Sequence, residues 1–153
     1  MSMGQLLFSF QGRLNRKPYW LTSITILVII LLILVSALVL IREHQFALAG
    51  LEFVLLAILY LPLMWVGFAL GAKRLHDRDK SGWWLVLFYL APGILGTIAD
   101  RIEGGTGIVL HVVGFAISVW AFVELGCLRG TVGPNQYGPD PLAPSVPASS
   151  VST

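Results

Sequence analysis

Charge is what this chain has least of. Of its 153 residues, 12% are Asp, Glu, Lys or Arg and 56% are hydrophobic. A soluble domain carries about 25% charged residues. Half that share, with so much apolar side chain, points to lipid as the solvent. Cysteine is nearly absent as well. Cys127 stands alone, which excludes an internal disulfide and any cysteine-based zinc site. The net charge is only +2, and basic residues do not alternate with aromatics outside one loop, so no nucleic-acid partner is expected. No internal repeat is visible. The first apolar run is too long for a signal peptide and no small-residue cleavage site follows it, so no cleavable leader is expected.

What the chain does have is uncharged runs of membrane length. A hydrocarbon core of roughly 30 Å takes about 20 residues of helix. Spans at about 18–41, 53–72, 82–99 and 105–125 meet or approach that length, the last uncharged as far as Val123. They predict an all-α integral membrane protein: four transmembrane helices in an antiparallel up-down bundle, with no soluble domain. Asn15 suits a helix cap and Pro18 the first turn of the first span. Tyr19 and Trp20 suit the headgroup zone. Pro62 should kink the second span and Pro92-Gly93 should interrupt the third. Gly67 and Gly71 are spaced for close helix approach or by chance. Ser81 is placed to cap the third span. The segment before Pro18, with Leu6, Leu7, Phe8 and Phe10 ahead of basic residues, is either an interfacial patch or an unstructured lead-in. Residues 142–153 are expected to be a disordered tail.

The longest charged stretch, Lys73 to Lys80, holds four basic and two acidic residues. Four spans would bring it to the same side as both termini. That side then carries Arg13, Arg16, Lys17, Lys73, Arg74, Arg78, Lys80 and Arg129, against Arg42 and Arg101 on the other. The asymmetry predicts cytoplasmic termini, and a lone thiol suits a reducing compartment. Segments 10–17, 73–82 and 130–141 should then pack as one cytoplasmic cap, making residues 1–141 a single domain.

Three patches carry a resemblance. They are FQGRLNRKPYW from Phe10, AKRLHDRDKSGWW from Ala72 and GTVGPNQYGPDP from Gly130. Together they resemble the small bacterial inner-membrane proteins catalogued as domain of unknown function 805. The matching positions are Gly12, Arg13, Arg16, Tyr19 and Trp20, then Arg74, Leu75, His76, Asp77, Ser81, Gly82, Trp83 and Trp84. The third patch contributes Gly133, Asn135, Tyr137, Gly138, Asp140 and Pro141. Members of that family often have Gly where this chain has Asp79, a departure that touches only the shape of the loop. The resemblance implies a polytopic inner-membrane protein and brings no activity with it.

These matching residues, without Leu75 and Gly133 and with Lys80 and Glu124 added, are the candidate site, read either as a binding surface or as a structural motif. His76 and Asp77 side by side lack the further ligands of a metal centre, so no metal or cofactor is expected, and His76 is better placed to bond a loop carbonyl. Arg13, Arg16, Arg74, Arg78 and Lys80 serve either anionic lipid headgroups or topology alone. Glu124, at a helix end, needs a cation. Arg129 is on another face, so Lys73, Arg74 or Arg13 is the expected partner. Trp83 or Trp84 could stack on an N-terminal arginine. Tyr60 and Tyr89 flank the prolines at similar depth, either along a polar path or between packed helices. His111 lies near the outer boundary.

The leading expectation is a non-enzymatic scaffold or adaptor whose cap binds a protein partner or anionic lipid. A transporter or channel would require a homo-oligomer. An enzyme acting on lipid headgroups would rely on His76 and Asp77 as acid and base.

Overall fold

Asn15 sets the start of the first long helix. Its side chain accepts the backbone N–H of Lys17 at 3.1 Å, and an uninterrupted helix follows. The structure, a computed structural model, describes residues 2–102 and 104–143. Its helices are α1 (Met3–Phe8), α2 (Arg16–Arg42), α3 (Phe46–Asp77), α4 (Trp84–Ala99) and α5 (Gly105–Phe122). A single π-helical turn, Val123–Cys127, continues α5. Among the described residues there is no strand, only an isolated bridge between Asn135 and Gly138. Apart from Leu142 and Ala143, the expected disordered tail lies outside the described residues.

Three helices are long and apolar enough to cross a membrane: α2, α3, and α5 with its π turn. The fourth apolar helix, α4, has 16 residues. At 1.5 Å per residue that is about 24 Å, short of a ~30 Å core. The expected connection before the second span shrinks to residues 43–45. The expected charged loop is helical as far as Asp77. Helix α3 therefore has 32 residues, and Glu52 lies inside it, accepting a hydrogen bond from Ser36 Oγ on α2 at 3.0 Å. Pro92-Gly93 does not interrupt α4, which runs on through it. Proline removes one N–H and displaces one carbonyl bond, and the remaining ladder carries the helix. Ser81 does not cap α4. The helix begins at Trp84, and the Ser81 hydroxyl accepts the Trp83 N–H at 3.4 Å.

The helices pack as two pairs. α2 lies against α3, and α4 against α5; α3 meets α4, and the π turn meets both α2 and α3. Gly107 lets the start of α5 lie on the end of α4, since a Cβ there would sit 2.7 Å from Ile102 O. A Cβ on Gly71 would sit 2.8 Å from Leu85 Cδ2, so this glycine marks the close approach of α3 to α4. Gly67, its spacing partner, faces open space. Burial concentrates where the pairs join, in Ala72, Leu75, Leu85, Phe88 and Leu125. α2, by contrast, has one buried residue, Ala37. Exposed leucine, isoleucine and valine cover the rest of the helices, a surface suited to hydrocarbon and not to water.

At the end where the pairs join, α1 packs beside α3. It is closed by a capping box in which Ser2 and Gln5 exchange side-chain-to-backbone bonds. α3 ends in a Schellman motif: Lys80 N–H reaches Leu75 O at 2.9 Å and Asp79 N–H reaches His76 O at 3.0 Å. Asp79 takes the left-handed conformation this requires, with φ 58. The departure from glycine therefore leaves the turn in place. A side chain in that region costs about 1–2 kcal/mol, less for Asp than for a branched residue. Asp79→Gly should raise the stability of the protein in detergent by up to ~1 kcal/mol, and Asp79→Val should lower it by about 1–2 kcal/mol. Thermal unfolding of the three proteins checks the order.

Candidate functional site

The last turns of α3 carry Lys73, Arg74 and Asp77 into the protein. Their exposures are 0%, 0% and 2%, and Arg13 and Glu124 are buried with them. Buried charge is stable only with partners, and each of these has several. Asp77 receives the Arg13 guanidinium, at 3.2 Å from Nε and 3.1 Å from Nη2, and Arg74 Nη1 at 2.6 Å. Arg13 Nη1 also donates to Gly133 O at 2.6 Å, and its Nη2 to Thr131 O at 2.6 Å. Lys73 closes α1, donating from Nζ to Gln5 O at 2.9 Å and to Leu6 O. Among the described residues no buried side-chain nitrogen or oxygen lacks a partner.

Four consecutive carbonyls at the end of the π turn are taken by donors from α2 and α3. Arg74 Nε binds Leu125 O at 2.8 Å, and Trp20 Nε1 binds Gly126 O at 3.0 Å. Arg16 Nη1 binds Cys127 O at 2.9 Å, and Arg74 Nη2 binds Leu128 O. Helix ends leave such carbonyls without intrahelical partners, and cations favour that end of the dipole. Thus α2 and α3 cap a helix that belongs to the other pair.

Glu124 is paired, but not with the expected Lys73, Arg74 or Arg13. Its Oε1 receives Arg78 Nε at 2.9 Å and Lys80 Nζ at 2.8 Å. The reason is geometric. Lys73 and Arg74 are turned inward to backbone carbonyls, whereas the residues after Asp77 fold back over the π turn. Arg129 contributes its carbonyl, which accepts from Arg78 Nη1 at 2.8 Å.

The third patch lies against the end of α3. Thr131 N–H donates to Asp77 O at 2.8 Å, and Asn135 Nδ2 donates to His76 O at 2.9 Å. Tyr137 stacks on His76, with ring centroids 3.8 Å apart and planes within 5°. His76 Nδ1 lies 3.3 Å from Gly12 O. Gly138 pairs with Asn135 across the turn. Asp140, followed by Pro141, accepts Gly133 N–H at 3.0 Å and Leu142 N–H at 2.9 Å. These two backbone donors hold its carboxyl below the ordinary aspartate range.

The remaining motif residues lie around this cluster. Tyr19 packs into the join between the pairs. Gly82 lies over Ala72, where an added Cβ would be 3.3 Å from the alanine Cβ. Trp83 is 81% exposed. Trp84 meets Trp120 at 5.3 Å, and Lys80 Nζ sits 5.9 Å from its ring. The cation on this tryptophan is therefore a lysine of its own loop, not an N-terminal arginine. His111, at the far end, pairs with Asp100 at 3.2 Å.

Sequence reasoning passed over Gly126, and it placed Lys73, Arg78, Gly130 and Thr131 in the cap segments without assigning them the contacts they make here. The two cations were legible from their place in the charged run. The glycines were not, because their neighbours come from other segments: a Cβ on Gly130 would run into the Asp77 carboxylate. Chemically, Asp77 is saturated by two guanidinium groups and is not available as a base. Two cavities adjoin the network. One, of 250 Å³, is bordered by Asn15, Arg16, Lys17, Arg129 and Asp140. The other, of 610 Å³, is aromatic and lies beside His76 and Tyr137.

Removing one partner of a buried ion pair costs about 3–5 kcal/mol. Asp77→Ala should lose that much in thermal unfolding and expose residues 128–143 to protease. Gly130→Ala should weaken the same contact. Glu124→Gln should cost less than Asp77→Ala, because the side chains of Arg78 and Lys80 are 24% and 33% exposed.

Comparison with known proteins identifies relatives of the chain. The family described as protein of unknown function (DUF805) matches residues 7–139. Uncharacterized protein YiiR of Escherichia coli K12 is 35% identical over 144 residues, covering 92% of this chain and 90% of its own. Inner membrane protein YhaI of the same strain is 31% identical, covering 86% and 85% respectively. Inner membrane protein YhaH is 31% identical, covering 86% of each. No solved structure matches. With its long apolar helices, the chain is a multi-pass inner-membrane protein and belongs to the DUF805 family.

Proposed function

We propose that the protein is a small non-enzymatic membrane scaffold of four antiparallel spans. Both termini are cytoplasmic, and the closed cap holds a binding site for an anionic lipid headgroup. Seven of the ten basic residues belong to the cap segments and Arg129 directly precedes the third, which favours the cytoplasm for that end. The observation that carries the reading is the 250 Å³ cavity. Arg16, Lys17 and Arg129 border it outside the buried network, and among the described residues none of the three is in an ion pair. Two carboxylates also border the cavity: Asp77 is balanced by Arg13 and Arg74, and both oxygens of Asp140 accept backbone N–H groups. Trp20 and Phe122 stack edge-on nearby at 5.7 Å, as amphipathic rings do at the headgroup level. Each basic residue at an anionic surface contributes about 1 kcal/mol.

A transport reading rests on Tyr60 and Tyr89, which border one cavity of 370 Å³. Two phenols among apolar side chains give little to conduct an ion, so this reading ranks second. Catalysis by His76 and Asp77 ranks third, since Asp77 is held by two guanidinium groups and leaves His76 without an acid–base partner.

Cys127 is exposed and is the sole cysteine, which makes it a natural topology probe. An impermeant maleimide should label it in inverted vesicles and not in intact spheroplasts; the reverse pattern rejects the orientation. Native mass spectrometry of the full chain should show retained phosphatidylglycerol in preference to phosphatidylcholine. Lys17→Ala with Arg129→Ala should reduce that retention about thirtyfold, as expected for two ~1 kcal/mol contributions, without changing the melting temperature. Equal retention, or a co-purifying protein in place of lipid, contradicts the lipid site.

A further inference from the structure

The two helix pairs do not close on each other along their length. Among the described residues the backbone of α2 approaches neither α4 nor α5, and that of α3 does not approach α5; at the capped end α2 and α5 still meet through the rings of Trp20 and Phe122. A groove is left along α3 and α4. It begins at the capped end in the 610 Å³ cavity, lined there by Phe10, Trp65, His76, Ser81, Trp83 and Tyr137. It continues into the 370 Å³ cavity between Tyr60, Gly67 and Tyr89, the two cavities sharing Met64 and Phe68. A third cavity, of 440 Å³, shares Tyr89 and Leu90 and reaches Gly93, Thr97 and Ile98. No charged residue lines any of the three.

We propose that this groove is a lateral binding site for one apolar chain of a membrane amphiphile, whose uncharged hydroxyl-bearing head sits at His76 and Ser81. The length fits. From Val86 to Ile98 the groove follows α4 for about 18 Å at 1.5 Å per residue, slightly more than the ~15 Å of one leaflet. The groove is shallow. Phe68 and Tyr89 meet edge-on at 5.2 Å, so their rings form its floor, over which a single chain can lie, and no cleft is left between α3 and α4 for a helix of roughly 10 Å diameter to enter. Polarity sets the direction. The mouth holds the Ser81 hydroxyl and the outer ring nitrogen of His76. With Nδ1 directed at the Gly12 carbonyl, Nε2 of the neutral ring is an acceptor. An acceptor nitrogen beside a hydroxyl suits a head group that both donates and accepts, as an alcohol does and a phosphodiester, which has no donor, does not. This site therefore differs in chemistry and location from the anionic site proposed above. It rests on the placement of the helices in the bilayer and not on Arg16, Lys17 or Arg129.

Two glycines make the groove testable without disturbing the fold. A Cβ added at Gly67 or Gly93 meets nothing within 4 Å, so leucine there fills the groove and not the core. The probe is a long-chain alcohol brominated along its chain, added to the full-length protein in nanodiscs. Trp65 and Trp83 report it by fluorescence quenching. Quenching should saturate and be reversed by the unbrominated alcohol, and the matching brominated alkane should bind more weakly. Gly67→Leu and Gly93→Leu should each raise the apparent Kd about tenfold with the melting temperature unchanged, while Lys17→Ala with Arg129→Ala should leave binding intact. Quenching that never saturates overturns the site, as does equal affinity in both folded leucine variants. An alkane that binds as well as the alcohol overturns the assignment of the head. If Gly67→Leu instead shifts the oligomer distribution, the groove belongs to a second copy.

Discussion

A carboxylate shared by two buried arginines cannot be separated from either without leaving a bare charge in a nearly waterless place. Asp77 is held between Arg13 and Arg74 in that way. Low local dielectric makes such an arrangement costly to open. The arginines do not stop at the carboxylate. Their remaining N–H groups reach carbonyls of residues 125, 128, 131 and 133. Three segments far apart in the chain thus meet at one ionised side chain, and closing one contact positions the next.

This matters because lipid gives apolar helices little reason to choose protein neighbours over acyl chains. Inside a bilayer, close packing and polar contacts decide association. α2, with one buried residue, shows how little the helix faces contribute here. The two pairs are joined where Gly71 admits Leu85 and where α2 and α3 supply donors to the π turn. A π turn leaves its carbonyls in unusual places and recurs at functional sites. In this protein it presents them to Trp20, Arg16 and Arg74. The join at one end leaves the opposite end of the α3–α4 boundary open to lipid.

Much of this was legible in the sequence. Uncharged runs of membrane length fixed the helical class, and the motif patches were expected to gather. The boundaries were less legible. Rules for membrane spans treat charge as the end of a helix, but Lys73, Arg74 and Asp77 continue α3 because their charges are satisfied inside the cap. For the same reason Glu52 was placed outside the second run, although it lies within α3 and accepts a hydrogen bond from Ser36 of α2. The partner of Glu124 depended on which cations the backbone had already claimed, a three-dimensional fact that spacing does not encode. Gly130 and Gly126 are required by side chains from other segments, so nothing in their own neighbourhood marks them. The groove was foreshadowed only by the similar depth of Tyr60 and Tyr89.

The cap thus combines a closed interior with two open flanks of different chemistry, one cationic and one aromatic. Whether the interior is the clamp described here is most directly measured by a double-mutant cycle on Arg13 and Asp77, read by thermal unfolding of the detergent-solubilised protein. The account predicts strong coupling, about 2 kcal/mol or more, near the upper end of the range for contacting residues. Effects that add within about 0.5 kcal/mol would show the two residues to be independent and would contradict it.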